Sequence, residues 1–250
     1  MNKKYRIGQI VPSSNVTMET EIPAIFRSRE SILPERFTFH SSRMRMKKVT
    51  KEELEAMDAM SLKCAQELSD AHVDVMGYAC LVAIMSMGRE YHCVSEVNLH
   101  QETVANDFPT PIVTSAGALI NGLNVLGAKQ ISIITPYMRP LTDMVVDYIE
   151  HQGIKVKESI ALEIPDNLEV AAQNPLNLLE IYKQLDLTDV DVLVVSACVQ
   201  MPSLEAIDLI EKEIGIPVTS AAVCTTYEMM KKLGIEAKSA IGGSLLSGKY

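Results

Sequence analysis

The residues with the richest chemistry in this 250-residue chain are five cysteines, at Cys64, Cys80, Cys93, Cys198 and Cys224. Their number is odd and their spacing wide, which makes a poor disulfide framework. No CxxC or HxxxH pairing suggests zinc. They are therefore either buried small hydrophobes or reactive thiols, and position must decide which. Cys80 and Cys198 stand apart because each closes a similar segment. Val73-Asp-Val-Met-Gly-Tyr-Ala-Cys80 resembles Val190-Asp-Val-Leu-Val-Val-Ser-Ala-Cys198, with one residue of slack before the shared Ala-Cys. Cys64 lies inside a helical pattern and reads as core. Cys93 and Cys224 read as helix-packing residues. The histidines (His40, His72, His92, His100 and His151) are scattered, and none forms a Cys–His dyad pattern with an Ala-Cys match. Met85, Met87, Met229 and Met230 read as packing.

Two further matches turn the pair into a duplication. Ile7-Gly-Gln-Ile-Val-Pro12 resembles Ile131-Ser-Ile-Ile-Thr-Pro136, and Val113-Thr-Ser-Ala116 recurs as Val218-Thr-Ser-Ala221. The three matches keep the same order, at offsets of 124, 118 and 105 residues. So long a period excludes a solenoid and fits two similar halves. Predicted strands are Tyr5–Val11, Phe37–His40, Val73–Tyr78, Ile112–Thr114, Ile131–Thr135, Lys155–Ile160, Val190–Ser196, Val218–Ser220 and Ser239–Ile241, with helices between most of them. Thr50-Lys-Glu-Glu53 is a capping box that opens a helix to about Asp70. Asn174-Pro175 opens another to about Leu185. The alternation predicts an α/β chain with parallel sheets. In such sheets ligands bind beyond the carboxyl ends of the strands. If the halves face each other about a pseudo-twofold axis, one thiol lies on each side of a shared cleft.

Composition narrows the partners. The net charge of −9 argues against nucleic acid, and with no Trp and only four Phe, bases would find few stacking surfaces. The basic cluster Arg43-Met-Arg45-Met-Lys47-Lys48 reads as a solvated loop before a helix. No apolar run reaches the roughly 18 residues needed to span a membrane. The apolar run after Arg6 stops at Pro12, too short for a signal-peptide core, so a cytoplasmic protein is expected. No GxGxxG or Walker sequence supports a nucleotide.

The segments Val11-Pro-Ser-Ser-Asn15, Gly77-Tyr-Ala-Cys-Leu-Val-Ala-Ile-Met85, Thr135-Pro-Tyr137, Ile164-Pro-Asp-Asn167 and Val195-Ser-Ala-Cys-Val-Gln-Met-Pro202 resemble the aspartate/glutamate racemase superfamily and, within it, the maleate cis–trans isomerase family. The resemblance spans most of the chain. It implies two flavodoxin-like halves related by pseudo-twofold symmetry, here residues 1–115 with 222–250 and residues 116–221. It implies conversion of maleate to fumarate without cofactor or metal, with Cys80 as nucleophile and Cys198 as its partner. It also implies Asn15, Tyr137 and Asn167 as contacts to a small dicarboxylate, and a homo-oligomer. By residue type alone, Asn15 serves equally well as a helix cap, Tyr137 as a loop residue and Asn167 as part of a turn.

The chemistry fits those residue types. A thiolate that adds to the cis double bond leaves a succinyl-cysteine whose central bond can rotate before elimination. A helix N-terminus after Cys80 is expected to lower the thiol pKa. Backbone N–H groups at Val82 and Val199 are candidate donors to the developing charge. Two rival readings use the same residues: an amino-acid or hydantoin racemase, and a non-catalytic small-ligand binding protein. A decarboxylase of the arylmalonate type needs only one of the two cysteines, which disfavours it.

Overall fold

A computed structural model describes residues 3–46 and 51–250. The β-branched runs form two four-stranded parallel sheets of the same strand order. The first is built from β1 (Lys4–Pro12), β2 (Arg36–Met44), β3 (Val75–Tyr78) and β4 (Ile112–Thr114), in the order β2-β1-β3-β4. The second contains β5 (Gln130–Thr135), β6 (Lys155–Ala161), β7 (Val192–Ser196) and β8 (Val218–Ser220), in the order β6-β5-β7-β8. Helices cover these sheets. They are α1 (Met18–Glu30), α2 (Lys51–Asp70), α3 (Leu81–Ser86), α4 (Tyr91–Ala105) and α5 (Ser115–Val125), then α6 (Arg139–His151), α7 (Asn167–Ala171), α8 (Leu178–Ile181), α9 (Leu204–Ile214) and α10 (Ala221–Lys232). Central parallel strands are covered on both faces, so they read as continuous apolar runs rather than alternating ones. β3 and β7 are buried along their whole length.

The duplicated segments occupy equivalent strands. Ile7 pairs with Val75 as Ile131 pairs with Val192. The slack residue before Cys198 is absorbed by a register shift between Val194 and Ser196 where β7 pairs with β8. After the shift the two Ala-Cys pairs are held alike. The Ala79 N–H donates to the Ile10 carbonyl (3.1 Å) and the Ala197 N–H to the Ile134 carbonyl (3.0 Å). The Val-Thr-Ser-Ala match proves one residue out of register. Thr114 caps α5 by accepting from the Gly117 N–H, whereas Ser220 caps α10 by accepting from the Val223 N–H. The structural equivalence is therefore Thr114 with Ser220, because each strand hands over to its helix at the capping hydroxyl.

Two expected elements differ. Ser239–Ile241 is not a strand; an isolated antiparallel bridge joins Lys238 to Ser247 instead. The Ser239 hydroxyl donates to the Ile25 carbonyl of α1 (3.1 Å), so side-chain bonding to a helix replaces ladder pairing. The helix opened by Asn174 is broken into 3-10 turns at Pro175–Asn177 and Tyr182–Gln184 around the short α8. Asn174 does cap it, accepting from the Leu176 N–H. The capping residue Thr50 lies outside the described residues. The last helix, α10, packs on α1, α5, β3 and β4. No helix among the described residues is long and apolar enough to cross a membrane.

Candidate active site

The carboxyl ends of β1, β3, β5 and β7 converge, and the loops around them meet at one small cavity of about 30 Å³. Asn15, Cys80, Val82, Tyr137, Asn167, Cys198 and Val199 all line it. The fold thus gathers every predicted site residue into one place. Pro12, Met46, Leu81 and Gln200 complete the wall. Among the described residues that line it there is no Lys, Arg or His, so those residues offer an anion neutral donors.

Cys80 is the residue from which α3 starts. Its backbone is left-handed (φ 114°, ψ 77°), a conformation that costs an L-residue on the order of 1–3 kcal/mol. The Ala83 and Ile84 N–H groups donate to its carbonyl at 3.1 and 3.3 Å. The expected helix N-terminus is therefore present, but it does not govern the thiol. Burial pushes the Cys80 thiol up to about 12, and a hydrogen bond from the Ala83 N–H offsets only part of this. Six residues of helix are too few to outweigh the loss of water. The Val82 N–H belongs to the first helical turn, where helix geometry supplies no carbonyl partner.

Cys198 is buried at 8% exposure, in the loop between β7 and α9. The Ser196 hydroxyl fixes that loop by donating to the carbonyls of Cys198 (2.8 Å) and Met201 (3.1 Å). Burial raises this thiol as well. Hydrogen bonds from the Tyr137 hydroxyl and from the Gln200 and Met201 N–H groups pull the other way. The Tyr137 hydroxyl also lies 3.3 Å from the Ala197 carbonyl, and burial holds its own ionisation well above the ordinary phenol range. Tyr137 therefore remains a donor at neutral pH.

Asn15 fulfils the capping role and leaves a group over. Its Oδ1 accepts from the Thr17 N–H (3.0 Å) and the Met18 N–H (2.9 Å), at the start of α1. The Nδ2 donor is what remains for the cavity. Asn167 is the first residue of α7, and the cap of that helix is its neighbour Asp166, which accepts from Leu168 and Glu169. The Asn167 Nδ2 donates to the Ser14 hydroxyl (2.8 Å).

Gln200 received no role from the sequence, yet it ties the site together. Its Nε2 donates to the carbonyls of Asn167 (2.7 Å) and Ser14 (2.9 Å), and its Oε1 accepts from the Val16 N–H (2.9 Å). The only available signal was its position two residues after Cys198. Met46 had no signal at all. It belongs to the basic cluster read as a solvated loop, but it is buried because the Ser13 hydroxyl grips both its N–H (3.0 Å) and its carbonyl (3.1 Å). Arg43 of that cluster ion-pairs with Glu19 (2.6 Å) and donates to the carbonyls of Ser13 and Asn15, bracing the Asn15 loop from outside. Lys47 and Lys48 lie outside the described residues.

The arrangement has known counterparts. The family model described as arylmalonate decarboxylase matches residues 7–246. The chain is 60% identical, over the whole of both chains, to the maleate isomerase of Pseudomonas putida (strain KT2440). Its fold superposes with a TM-score of 0.98 on a cysteine-to-alanine variant of the maleate isomerase Iso from Pseudomonas putida S16 crystallised with maleate, at 61% identity over 99% of each chain. A cysteine-to-serine mutant of the Nocardia farcinica maleate cis–trans isomerase, with a covalently bound succinylcysteine intermediate, superposes at 0.94 with 41% identity, over 99% of this chain and 100% of that one.

Proposed function

The chain belongs to the arylmalonate decarboxylase family, and from its 60% identity over its whole length to a maleate isomerase we propose that it isomerises maleate to fumarate through a succinyl-cysteine, without a cofactor. Cys80 is the nucleophile and Cys198 its acid–base partner. The observation that carries the reading is the shared cavity with one thiol from each half and, among the described residues, only neutral donors around them. The Nocardia relative with its bound succinylcysteine supports the covalent step.

Proton and electron bookkeeping closes on the two thiols. The Cys80 sulfur bonds to one alkene carbon, and the π pair moves to the other carbon and into its carboxylate. Cys198 gives its proton to that carbanion and recovers the one that left Cys80. The former double bond is now single and rotates. In reverse, Cys198 returns its proton to the departing Cys80 sulfur and takes the one on carbon, which leaves the trans alkene and both thiols protonated. No charge is created overall, which suits a site where burial holds both thiols protonated. Tyr137, Asn15 and Asn167 supply donors to the carboxylates, and the N–H groups at Val82 and Val199 face the charge that develops on addition. Neutral donors leave no unpaired buried cation when the site is empty.

The structural halves in this reading are residues 1–115 with 222–250 and residues 116–221, supported by the return of α10 to the first sheet. A homo-oligomer, by resemblance to the family, and a cytoplasmic location, supported by five cysteines that are all free, complete the proposal. Light scattering in solution tests the oligomer. For the reaction, purified protein is dialysed against chelator, mixed with maleate and followed by proton NMR. Fumarate should appear at undiminished rate. Its absence, or recovery only on adding a metal, overturns the reading. Conversion of an amino acid or hydantoin instead would favour the racemase alternative.

A further inference from the structure

One carboxylate behind the cavity holds both ends of the segment that presents Cys80. Asp58, half-buried on α2, accepts from the Tyr78 hydroxyl through Oδ1 (3.0 Å) and from the Tyr91 hydroxyl through Oδ2 (2.6 Å). Tyr78 is the last residue of β3, two residues before Cys80, and is fully buried. Tyr91 is the first residue of α4, just after the turn that ends α3. Everything between them, the left-handed Cys80 and α3 included, is an excursion whose two ends meet on a single side chain.

We propose that Asp58, with Tyr78 and Tyr91, is a positioning device that holds Cys80 in its left-handed, cavity-facing conformation. This rests on the reading of Cys80 as the nucleophile. A strained residue keeps its conformation only where its surroundings over-determine it. Before Cys80 that work is done by the Ala79 N–H on the Ile10 carbonyl and by the Tyr78 hydroxyl on Asp58. After it, the turn at Gly88 (φ 121°) and Glu90 (φ 62°) contains two more positive-φ residues before Tyr91 secures the chain again. Both phenols are held above their ordinary ionisation range, chiefly by burial, so they stay protonated and donate to Asp58. The second half has no such device. There α9 begins directly after the Cys198 loop, and its first N–H groups, at Ser203 and Leu204, donate to Glu21 of α1 at 2.6 Å each.

The test compares Tyr91→Phe, Asp58→Ala and Asp58→Asn with the parent in two assays. In maleate turnover, Asp58→Ala should lower kcat about tenfold or more while KM moves less than about threefold, because misplacing a reacting group acts on the chemical step. Asp58→Asn keeps one oxygen that can accept a phenol and should recover part of the loss. Tyr91→Phe removes one oxygen from a partly exposed side chain, so it should fold and lower kcat by a smaller factor. The second assay does not depend on maleate. Iodoacetamide labelling of Cys80 at neutral pH, followed by peptide mass mapping, should be several-fold faster in Tyr91→Phe and Asp58→Ala, with Cys198 labelling unchanged. If the parent does not act on maleate, the proposed function fails, and the labelling result still decides the role of Asp58. Cys80 labelling within twofold of the parent in both variants would overturn it.

Discussion

Cys80 and Cys198 hold equivalent places in the duplicated halves, pinned by the same Ala N–H bond to the neighbouring strand. Beyond that bond the two loops diverge. Cys80 adopts a positive φ, starts the short helix α3 and keeps partial solvent access. Cys198 is buried, takes a hydrogen bond from Tyr137, and sits in a loop locked by the Ser196 hydroxyl. One half therefore presents a thiol on a strained support, and the other wraps a thiol in donors. Duplication supplied two similar thiols, and their surroundings suit them to the different roles proposed for them. A nucleophile must reach out to a carbon, whereas an acid–base partner need only keep its proton at a fixed point.

The sharpest way to break this comparison is to exchange sulfur for oxygen at each site. Cys80→Ser should abolish turnover, because a serine hydroxyl parts with its proton far less readily than a thiol. Cys198→Ser still offers a hydroxyl proton. It should keep slow turnover or accumulate a succinyl-sized adduct on the Cys80 peptide, visible by intact-protein mass spectrometry after acid quench. An adduct on the Cys198 peptide in the parent enzyme would reverse the roles.

The next largest effect is expected at Asn15, where capping and binding use different atoms. Asn15→Asp keeps the oxygen that accepts from Thr17 and Met18 but loses the Nδ2 donor. Its maleate turnover should fall on the order of a hundredfold with thermal stability nearly intact. Asn15→Ala should lose turnover similarly and, in addition, about 0.5–2 kcal/mol of stability. If Asn15→Asp is fully active, the residue is a cap alone. Gln200→Ala should cost less, about tenfold in turnover, since the glutamine only aligns Asn167 and the Ser14 loop. A change confined to stability would reduce Gln200 to a structural clasp.

The smallest effect concerns pH. Cys64, Cys80, Cys198 and Cys224 are all raised above the ordinary thiol range, each mainly by burial. An unfolded thiol ionises near pH 8.5. The folded chain holds these protons more tightly, so their contribution to stability is complete below that value and is lost as pH rises toward the folded values. The denaturation temperature should fall progressively above about pH 9. A midpoint level up to about pH 10 would show that the thiols are better solvated than the structure indicates.

Much of this molecule was legible in its sequence, for a definite reason. Seven of the eight strands announced themselves within about two residues at each end, the central ones because parallel strands buried on both faces are apolar throughout. β2 declared only its first half, because from His40 onward it is polar and partly exposed. The ordered matches of Ala-Cys and strand-Pro revealed two halves, and the halves implied a shared cleft. The sequence also showed that Cys80 and Cys198 differ from the other three cysteines. What tertiary structure alone decided is how the pair is surrounded. The hydroxyls that meet on Asp58 come from residues 20 and 33 positions further along the chain, and Gln200 reaches partners 184 and 186 positions before it. No local pattern encodes such bonds, because they depend on where whole elements come to rest. The thiol pKa illustrates the same limit. A helix start after Cys80 could be read from the chain, but burial outweighs it, and burial is a property of everything packed around the residue rather than of its neighbours in sequence.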